Sequence, residues 1–256
     1  MTRNPGAISP PKILSALGRY RRNLYFSSIT TICALLFPPK YWYGFSWRFT
    51  SFMASVLRMI GVDSQSLPVR QAKWMDHLMA HFTRKKRPFP VRYKIEGAGL
   101  LKRWVQEQCG IVLYSAHIPL MQLAVRAVME SGVRVNAAVA EVPNPDEKLA
   151  VWGLAERLPI FHTGPAVLLK ARTILDNHGI LTLMVDYRFG DYSINIFKLA
   201  RLTGSRVVSY LAELQNDGIV HVWITEPPHP FCENDEAIQA NLEALEKERR
   251  RILRIK

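Results

Sequence analysis

The chain has 256 residues, of which 48% are hydrophobic and 10% are aromatic. This content is enough to bury a core, which excludes a disordered chain, and the length fits one α/β domain with an appendage. The three cysteines, Cys33, Cys109 and Cys232, are too few and too scattered for a disulfide framework or a zinc cluster, and they indicate a reducing compartment.

Positive charge is concentrated in the first part of the chain. Residues 1–103 contain 18 Lys and Arg against three acidic residues, whereas residues 104–256 contain 16 against 18. A basic segment joined to a nearly neutral one predicts an anionic partner: a nucleic acid, an anionic membrane surface or an acidic protein. The apolar residues between the charges favour the membrane. No known nucleic-acid-binding motif accompanies the charge, so we expect no nucleic-acid partner.

Residues 1–89 are expected to form a helical, membrane-associating region. Residues 24–37 are an apolar stretch that follows three arginines and ends at two prolines. A helix of this length rises about 21 Å, short of the ~30 Å hydrocarbon core, which favours shallow insertion. Aromatic residues crowd the segment 41–52, and a basic cluster occupies 84–87, as at a bilayer headgroup boundary. The alternative is a buried core helix followed by a solvated basic loop.

From residue 90 the chain alternates apolar strands with helices. Strands are expected at 91–97, 110–116, 133–141, 159–162, 180–186, 206–214 and 219–226. Helices are expected between them, including one that begins near Asn144, and a long charged helix follows from Asp235. Buried strands alternating with helices predict an α/β domain over residues 90–256, with a mostly parallel central sheet covered by helices.

Polar side chains follow three of the predicted strands. His117 follows the second strand, His162 ends the fourth, and Asp186 and Arg188 follow the fifth. Ligands of such sheets bind beyond the carboxyl ends of the strands, so these residues are candidates for one site. Gln122 comes five residues after His117, roughly one helical turn on, and both side chains can then face one cleft.

Several other polar residues are expected to be structural. Ser115 lies beside His117, but no Gly-x-Ser-x-Gly elbow surrounds it, which argues against a nucleophile. His77 and His81 have the spacing of two metal ligands on one helix face, yet no third ligand follows, so packing is favoured and no metal site is predicted. The remaining histidines interpreted as structural are His178, His221 and His229.

These segments, in their order, resemble the bacterial lipid A biosynthesis late acyltransferases, the lauroyl/myristoyl acyltransferase family. The block GIVLYSAHIPLMQLAVRAVMESG resembles that family's apolar strand followed by His-x4-Asp/Glu, and FKLARLTGSRVVSYLAEL resembles its LARxTGAxVVP segment. VPNPDEKLA, GPAVLLKARTILDNHGILTLMVDYR and ITEPPHP resemble further segments of the family in the same order. The resemblance covers about residues 90–254 and implies a lysophospholipid (glycerolipid) acyltransferase-like fold.

The resemblance also implies an activity. The protein would be a membrane-associated acyltransferase that moves a fatty acyl group from a thioester, usually of acyl carrier protein, to a hydroxyl of a lipid or glycolipid. His117 would be the general base, with Gln122 in the position of its acidic partner, and Asp186 and Arg188 would contact substrate. His162 is a further substrate-binding candidate because its strand end can line the same cleft. No cofactor is expected besides the acyl-thioester co-substrate. The expected location is the cytoplasmic face of a bacterial inner membrane, with peripheral or shallow anchoring.

The chain departs from the family pattern at four places. Gln122 replaces the acid of the His-x4-Asp/Glu motif, Glu141 and Val142 stand in place of an arginine-containing segment, the loop after Asp186 lacks a PFFG stretch, and the chain ends at Lys256 before the family's last segment. In a hydrolase triad the change from acid to amide lowers turnover about 10⁴-fold. The alternative is therefore a catalytically inactive relative that binds lipid or acyl carrier protein as an accessory, and a nucleic-acid-binding protein is the third possibility.

Overall fold

The computed structural model describes residues 24–83, 90–140, 158–162, 166–186 and 192–255. Residues 24–36 are helical (α1), and a short 3₁₀ turn, Pro39–Tyr41, leads into the second helix. The further helices are α2 (Trp42–Met59), α3 (Leu67–Thr83), α4 (Ala98–Gln106), α5 (Met121–Glu130), α6 (Val167–Asp176), α7 (Asn195–Leu202) and α8 (Asp235–Leu253). The strands are β1 (Tyr93–Glu96), β2 (Ile111–Ser115), β3 (Ala137–Ala140), β4 (Ile160–His162), β5 (Ile180–Met184), β6 (Arg206–Leu214) and β7 (Val220–Thr225).

The seven strands form one sheet in the order β1-β7-β6-β2-β5-β3-β4. Five consecutive strands, from β6 to β4, are parallel to one another, while β7 pairs antiparallel with β6 and β1 pairs parallel with β7. The β6–β7 hairpin turns at Gly218, whose φ of 82° is one that glycine adopts without strain. The Asp217 carboxylate accepts the backbone N–H of Ile219 in the same turn. The α/β class with a mostly parallel sheet is confirmed.

Helices cover both faces of the sheet. Neighbouring residues of a strand point to opposite faces, and two residues of β2 show what lies on each side. The ring of Tyr114 packs edge-on against Phe197 of α7, with 4.9 Å between the centroids. The hydroxyl of Ser115 lies 3.7 Å from the sulfur of Met121 in α5. Both sides of the central strand are therefore buried, as its continuous apolar sequence predicts.

The third strand is shorter than its sequence indicates. It was expected from residue 133, but the ladder begins only at Ala137. Just before it, the backbone N–H of Asn136 donates to the Ile180 carbonyl, and the Asn136 side-chain oxygen accepts the Ile180 N–H. The side chain replaces a backbone acceptor here, so regular pairing starts one residue later. The helix expected from Asn144 lies outside the described residues.

The N-terminal helices share the core of the sheet. Trp42 of α2 stacks on Phe82 of α3 at 4.7 Å, and both belong to the same buried cluster as Leu113 of β2. His77 stacks on Phe26 of α1, and His81 is hydrogen-bonded through Nδ1 to a backbone carbonyl of its own helix. None of the described helices has both the length and the apolar character needed to cross a bilayer. Membrane association of residues 1–89 remains a prediction, and the basic cluster 84–87 lies outside the described residues.

Gly97 joins β1 to α4 where no side chain fits. Its φ is 82°, and a Cβ there would lie 2.0 Å from the carbonyl oxygen of Ile224 in the neighbouring strand.

We expect Gly97→Ala to lower the free energy of unfolding by at least about 2 kcal/mol. Gly99→Ala is the matched control, because Gly99 lies in α4 and a Cβ there would have no atom within 4 Å. This control should raise stability by about 0.5–1 kcal/mol in urea titrations. Equal effects of the two substitutions would contradict the close packing at Gly97.

Candidate active site

Two neighbouring parallel strands bring His117 and Asp186 together. β2 pairs in register with β5, with Ser115 opposite Met184. The backbone N–H of Val185 then donates to the Ser115 carbonyl at 2.8 Å, so the two chains leave the sheet side by side. Each candidate residue comes two positions after its paired strand end. The shared register therefore places the two side chains in contact although 69 residues separate them in the sequence.

The Asp186 carboxylate holds His117 through both its ring and its backbone. Nδ1 of His117 lies 2.8 Å from Oδ1 of Asp186, and the backbone N–H of His117 donates to both carboxylate oxygens at 2.8 and 3.0 Å. An ionised carboxylate only accepts, so Nδ1 carries the proton in this contact. In the neutral imidazole the lone pair then lies on Nε2.

The two partners differ sharply in their exposure to solvent. The Asp186 side chain is 4% exposed, whereas the His117 side chain is 68% exposed. Burial alone would raise the pKa of Asp186, but the hydrogen bonds and charge of His117, together with the charge of Arg249, outweigh it and hold that pKa below its usual range. The aspartate is therefore a fixed anion beneath an accessible imidazole.

A second layer of charges from α8 supports the aspartate. Nε of Arg249 lies 3.8 Å from Oδ2 of Asp186, too far for a hydrogen bond but close enough for charge attraction. The same guanidinium donates to Glu246 at 3.0 Å, and Glu246 also accepts from the Tyr192 hydroxyl. Burial opposes ionisation of Glu246, but the hydrogen bonds of Tyr192, Arg250 and Arg249 lower its pKa to about 2. Tyr192 itself forms an isolated antiparallel bridge with Asp186.

The other predicted site residues are Gln122, His162 and Arg188, and the structure describes only the first of them in full. Gln122 is the second residue of α5 and is half-buried; the helix begins only at Met121, so the segment after His117 is a loop rather than a helical turn. His162 ends β4 at the same edge of the sheet, two strands beyond β5, and its side chain lies outside the described part of the structure. Arg188 also lies outside the described residues.

The hydroxyl nearest to His117 in the sequence is not available as a nucleophile. Ser115 is fully buried, and its hydroxyl donates to the Tyr210 carbonyl on β6. A serine in this position supports the packing of the sheet. Its buried hydroxyl agrees with the structural role expected from the sequence.

Asp76 of α3 was missed by reasoning from the sequence. Its carboxylate accepts the backbone N–H of Leu120, which precedes α5 with a φ of 70°, an unusual value for leucine. The contact fixes the loop that begins at His117. Burial, the larger influence, raises the pKa of Asp76 to about 6, although the Leu120 hydrogen bond opposes this. The sequence offered one indication that Asp76 is unusual: it is one of only three acidic residues among the first 103.

Arg249, Glu246 and Tyr192 were also missed. The two charged residues lie in the long charged helix, where alternating charges are common and nothing marks this pair as different.

Comparison with known proteins adds no candidates: no protein-family model and no curated protein matches the chain.

Stability should depend on the protonation of Asp76. Its pKa rises from 3.8 to about 6 on folding, so the folded chain binds more protons between these values and the free energy of unfolding falls as pH rises through that window. Asp76→Asn removes the ionisable group and keeps an acceptor for Leu120. The variant should therefore be more stable than the wild type at pH 7.5, and this advantage should shrink by about 2 kcal/mol on going to pH 4.

Asp63→Asn is the matched control for this pH series. Asp63 is exposed, and its Oδ1 accepts the backbone N–H of Gln65, a contact that an amide oxygen preserves. Urea unfolding at several pH values measures both variants. An Asp76→Asn advantage that stays constant from pH 4 to 7.5 would contradict the raised pKa.

Proposed function

We propose that this protein is an acyltransferase in which His117, oriented by Asp186, removes the proton from an acceptor hydroxyl. The observation that carries the proposal is the 2.8 Å contact between Nδ1 of His117 and a buried carboxylate, with the ring itself open to solvent. A histidine held in this way presents Nε2 as a base, which is the arrangement of acyl-transfer enzymes that use a His–Asp pair.

The electrostatics of the pair suit proton abstraction by His117. When Nε2 takes the proton, the ring becomes an imidazolium beside the Asp186 anion. The low pKa of Asp186 keeps that anion ionised, and its attraction stabilises the new positive charge. The backbone N–H of His117 fixes the carboxylate from the same side, so little reorganisation accompanies the proton transfer.

In the proposed reaction the acceptor attacks directly. The hydroxyl oxygen forms a bond to the carbonyl carbon of an acyl thioester while Nε2 takes the hydroxyl proton. The C–S bond then breaks, and the proton passes from the imidazolium to the departing thiolate. Direct attack is favoured over an acyl-enzyme because the hydroxyl of Ser115 is buried and already bonded.

The substrate classes come from the resemblance and from charge. The acyl donor is a thioester of acyl carrier protein, whose acidity suits the basic first part of the chain, and the acceptor is a lipid or glycolipid at the cytoplasmic face of a bacterial inner membrane. In this proposal Asp186 supplies the negative charge that the family pattern places five residues after the histidine. The amide of Gln122 is then compatible with activity.

A catalytically inactive relative is the second candidate. The observation that favours it is Gln122 itself, since an amide provides no charge for the imidazolium. Such a protein would bind lipid or acyl carrier protein without turnover. Activity of the wild-type chain separates the two candidates.

The assay is acyl transfer from acyl-carrier-protein thioesters to a bacterial membrane-lipid extract, followed by mass spectrometry of the lipids. His117→Ala should lower kcat/KM by at least about 10³-fold because the base is lost. Asp186→Asn should lower it by about 10³–10⁴-fold, because an amide can donate to Nδ1 and so favour the tautomer that has no lone pair on Nε2. Gln122→Ala should lower it by less than about tenfold, since Asp186 carries the charge.

His229→Ala is the matched control. Its side chain faces Glu233 at 3.5 Å near α8, and the backbone hydrogen bonds between residue 229 and Asn241 do not need the ring. The control should retain wild-type activity. Full activity in His117→Ala would overturn the mechanism, while a wild type that is inactive but becomes active as Gln122→Glu would favour the second candidate.

A further inference from the structure

We propose that a groove between α2 and the start of β1 binds the headgroup of an anionic phospholipid at a bilayer surface. This site deepens the proposed function by assigning the surface that contacts the membrane, and it rests on that function only for its biological purpose. The groove, the charges around it and the apolar surface beside it are each visible in the structure.

The groove is a built cavity rather than a loose helix face. It is an open groove of about 980 Å³ lined by aromatic rings, among them Tyr41, Phe45, Trp47 and Phe52. Its floor is fixed to the sheet, because the Tyr43 hydroxyl lies 2.8 Å from the Gly218 carbonyl oxygen in the β6–β7 hairpin.

The Trp47 ring holds the groove against the same hairpin. A Cβ at Gly218 would lie 2.7 Å from that ring, so the indole rests directly on the glycine backbone. Tyr43 also approaches the Arg92 carbonyl oxygen at 3.2 Å, which ties the start of β1 into the groove wall. The cavity therefore belongs to the packed fold.

Three cations surround the groove without acidic partners in the described part of the chain. Lys40, Arg48 and Arg92 line it, all three are exposed, and no described carboxylate lies within ion-pair distance of any of them. The whole segment 24–62 contains three basic residues and no acidic residue. Aromatic residues mixed with such cations match the boundary of an anionic bilayer, where phosphates lie just above the acyl chains.

The surface next to the groove is apolar and open. Large hydrophobic side chains are exposed along α1, the 3₁₀ turn and α2, among them Ile32, Leu35, Leu36, Tyr41, Phe52 and Met59. Exposed large apolar side chains concentrated in one part of a chain mark an interaction surface. Its position beside the three cations fits a bilayer, which offers hydrocarbon and phosphate together.

The test measures binding of the full-length protein to vesicles of phosphatidylcholine with and without 30% phosphatidylglycerol, by flotation at physiological salt. Wild type should bind the anionic vesicles at least about tenfold more strongly than the neutral ones. The triple variant Lys40→Gln, Arg48→Gln, Arg92→Gln should lose about 10–100-fold of its affinity for the anionic vesicles. Its unfolding midpoint should match that of the wild type because the three side chains are exposed.

The matched control removes the same charge elsewhere. Lys102→Gln, Arg134→Gln, Lys247→Gln changes three exposed cations outside the groove, and it should lower affinity by less than about threefold. Phe52→Ser keeps the charge but removes an exposed ring, and it should weaken binding to both kinds of vesicle.

Several outcomes would overturn the inference. Equal losses of affinity for anionic vesicles in the two triple variants would mean that net charge alone explains the binding. Equal binding of the wild type to neutral and anionic vesicles would mean that the protein does not recognise the anionic headgroup. If the triple variant of the groove cations kept vesicle binding but lost binding of acyl carrier protein, the groove would be assigned to an acidic protein instead. His117→Ala should bind vesicles like the wild type although it transfers no acyl group. A wild type that binds anionic vesicles but shows no acyl transfer would refute the proposed function and leave this inference standing.

Discussion

The in-register pairing of β2 with β5 is the constraint on which the candidate site depends. Because Ser115 lies opposite Met184, residues two positions beyond each strand reach the same place at the sheet edge. A shift of one residue in this register would turn Asp186 towards the opposite face and separate it from His117. The register is itself fixed by burial, since every residue of β2 is fully buried and a slipped strand would disturb packing on both faces.

The buried carboxylate makes the site a structural unit as well as a chemical one. An ionised group that is removed from water is costly unless it is hydrogen-bonded and paired, and Asp186 accepts from the His117 ring and backbone while Arg249 balances its charge. Through Arg249 and Glu246, α8 is coupled to the loop that carries the histidine. The exposed imidazole can therefore exchange protons with a substrate while its orientation is set from below.

Much of the fold was predictable because strand and helix periodicities are local. The continuous apolar run of β2, the Asn-Asp-Gly turn of the β6–β7 hairpin and the charged α8 all formed where the sequence indicates. The order of strands in the sheet is not local, so the sequence placed His117 and Asp186 at one edge but could not show that they touch. The family resemblance placed Gln122, not Asp186, in the position of the partner of His117. The roles of Asp76 and Arg249 depend on how distant helices pack against the site, and nothing in their own neighbourhoods signals that packing.

The groove and the His117–Asp186 pair lie at the same end of the sheet but at different depths. β1 runs opposite to β2, so Arg92 at its start and His117 beyond the end of β2 face the same way. In the pairing of β2 with β6, Tyr114 lies opposite Ser209. β6 continues for five residues after Ser209 before it reaches the hairpin that supports the groove. At about 3.3 Å per residue the groove therefore projects roughly 16 Å beyond the level of Tyr114, whereas His117 lies three residues beyond Tyr114. The offset between the groove and His117 along the strand direction is therefore only about two residues, or roughly 7 Å. In the proposed reaction, with the groove at a bilayer surface, an offset this short brings the imidazole close to the headgroup region, where a lipid acceptor presents its hydroxyls.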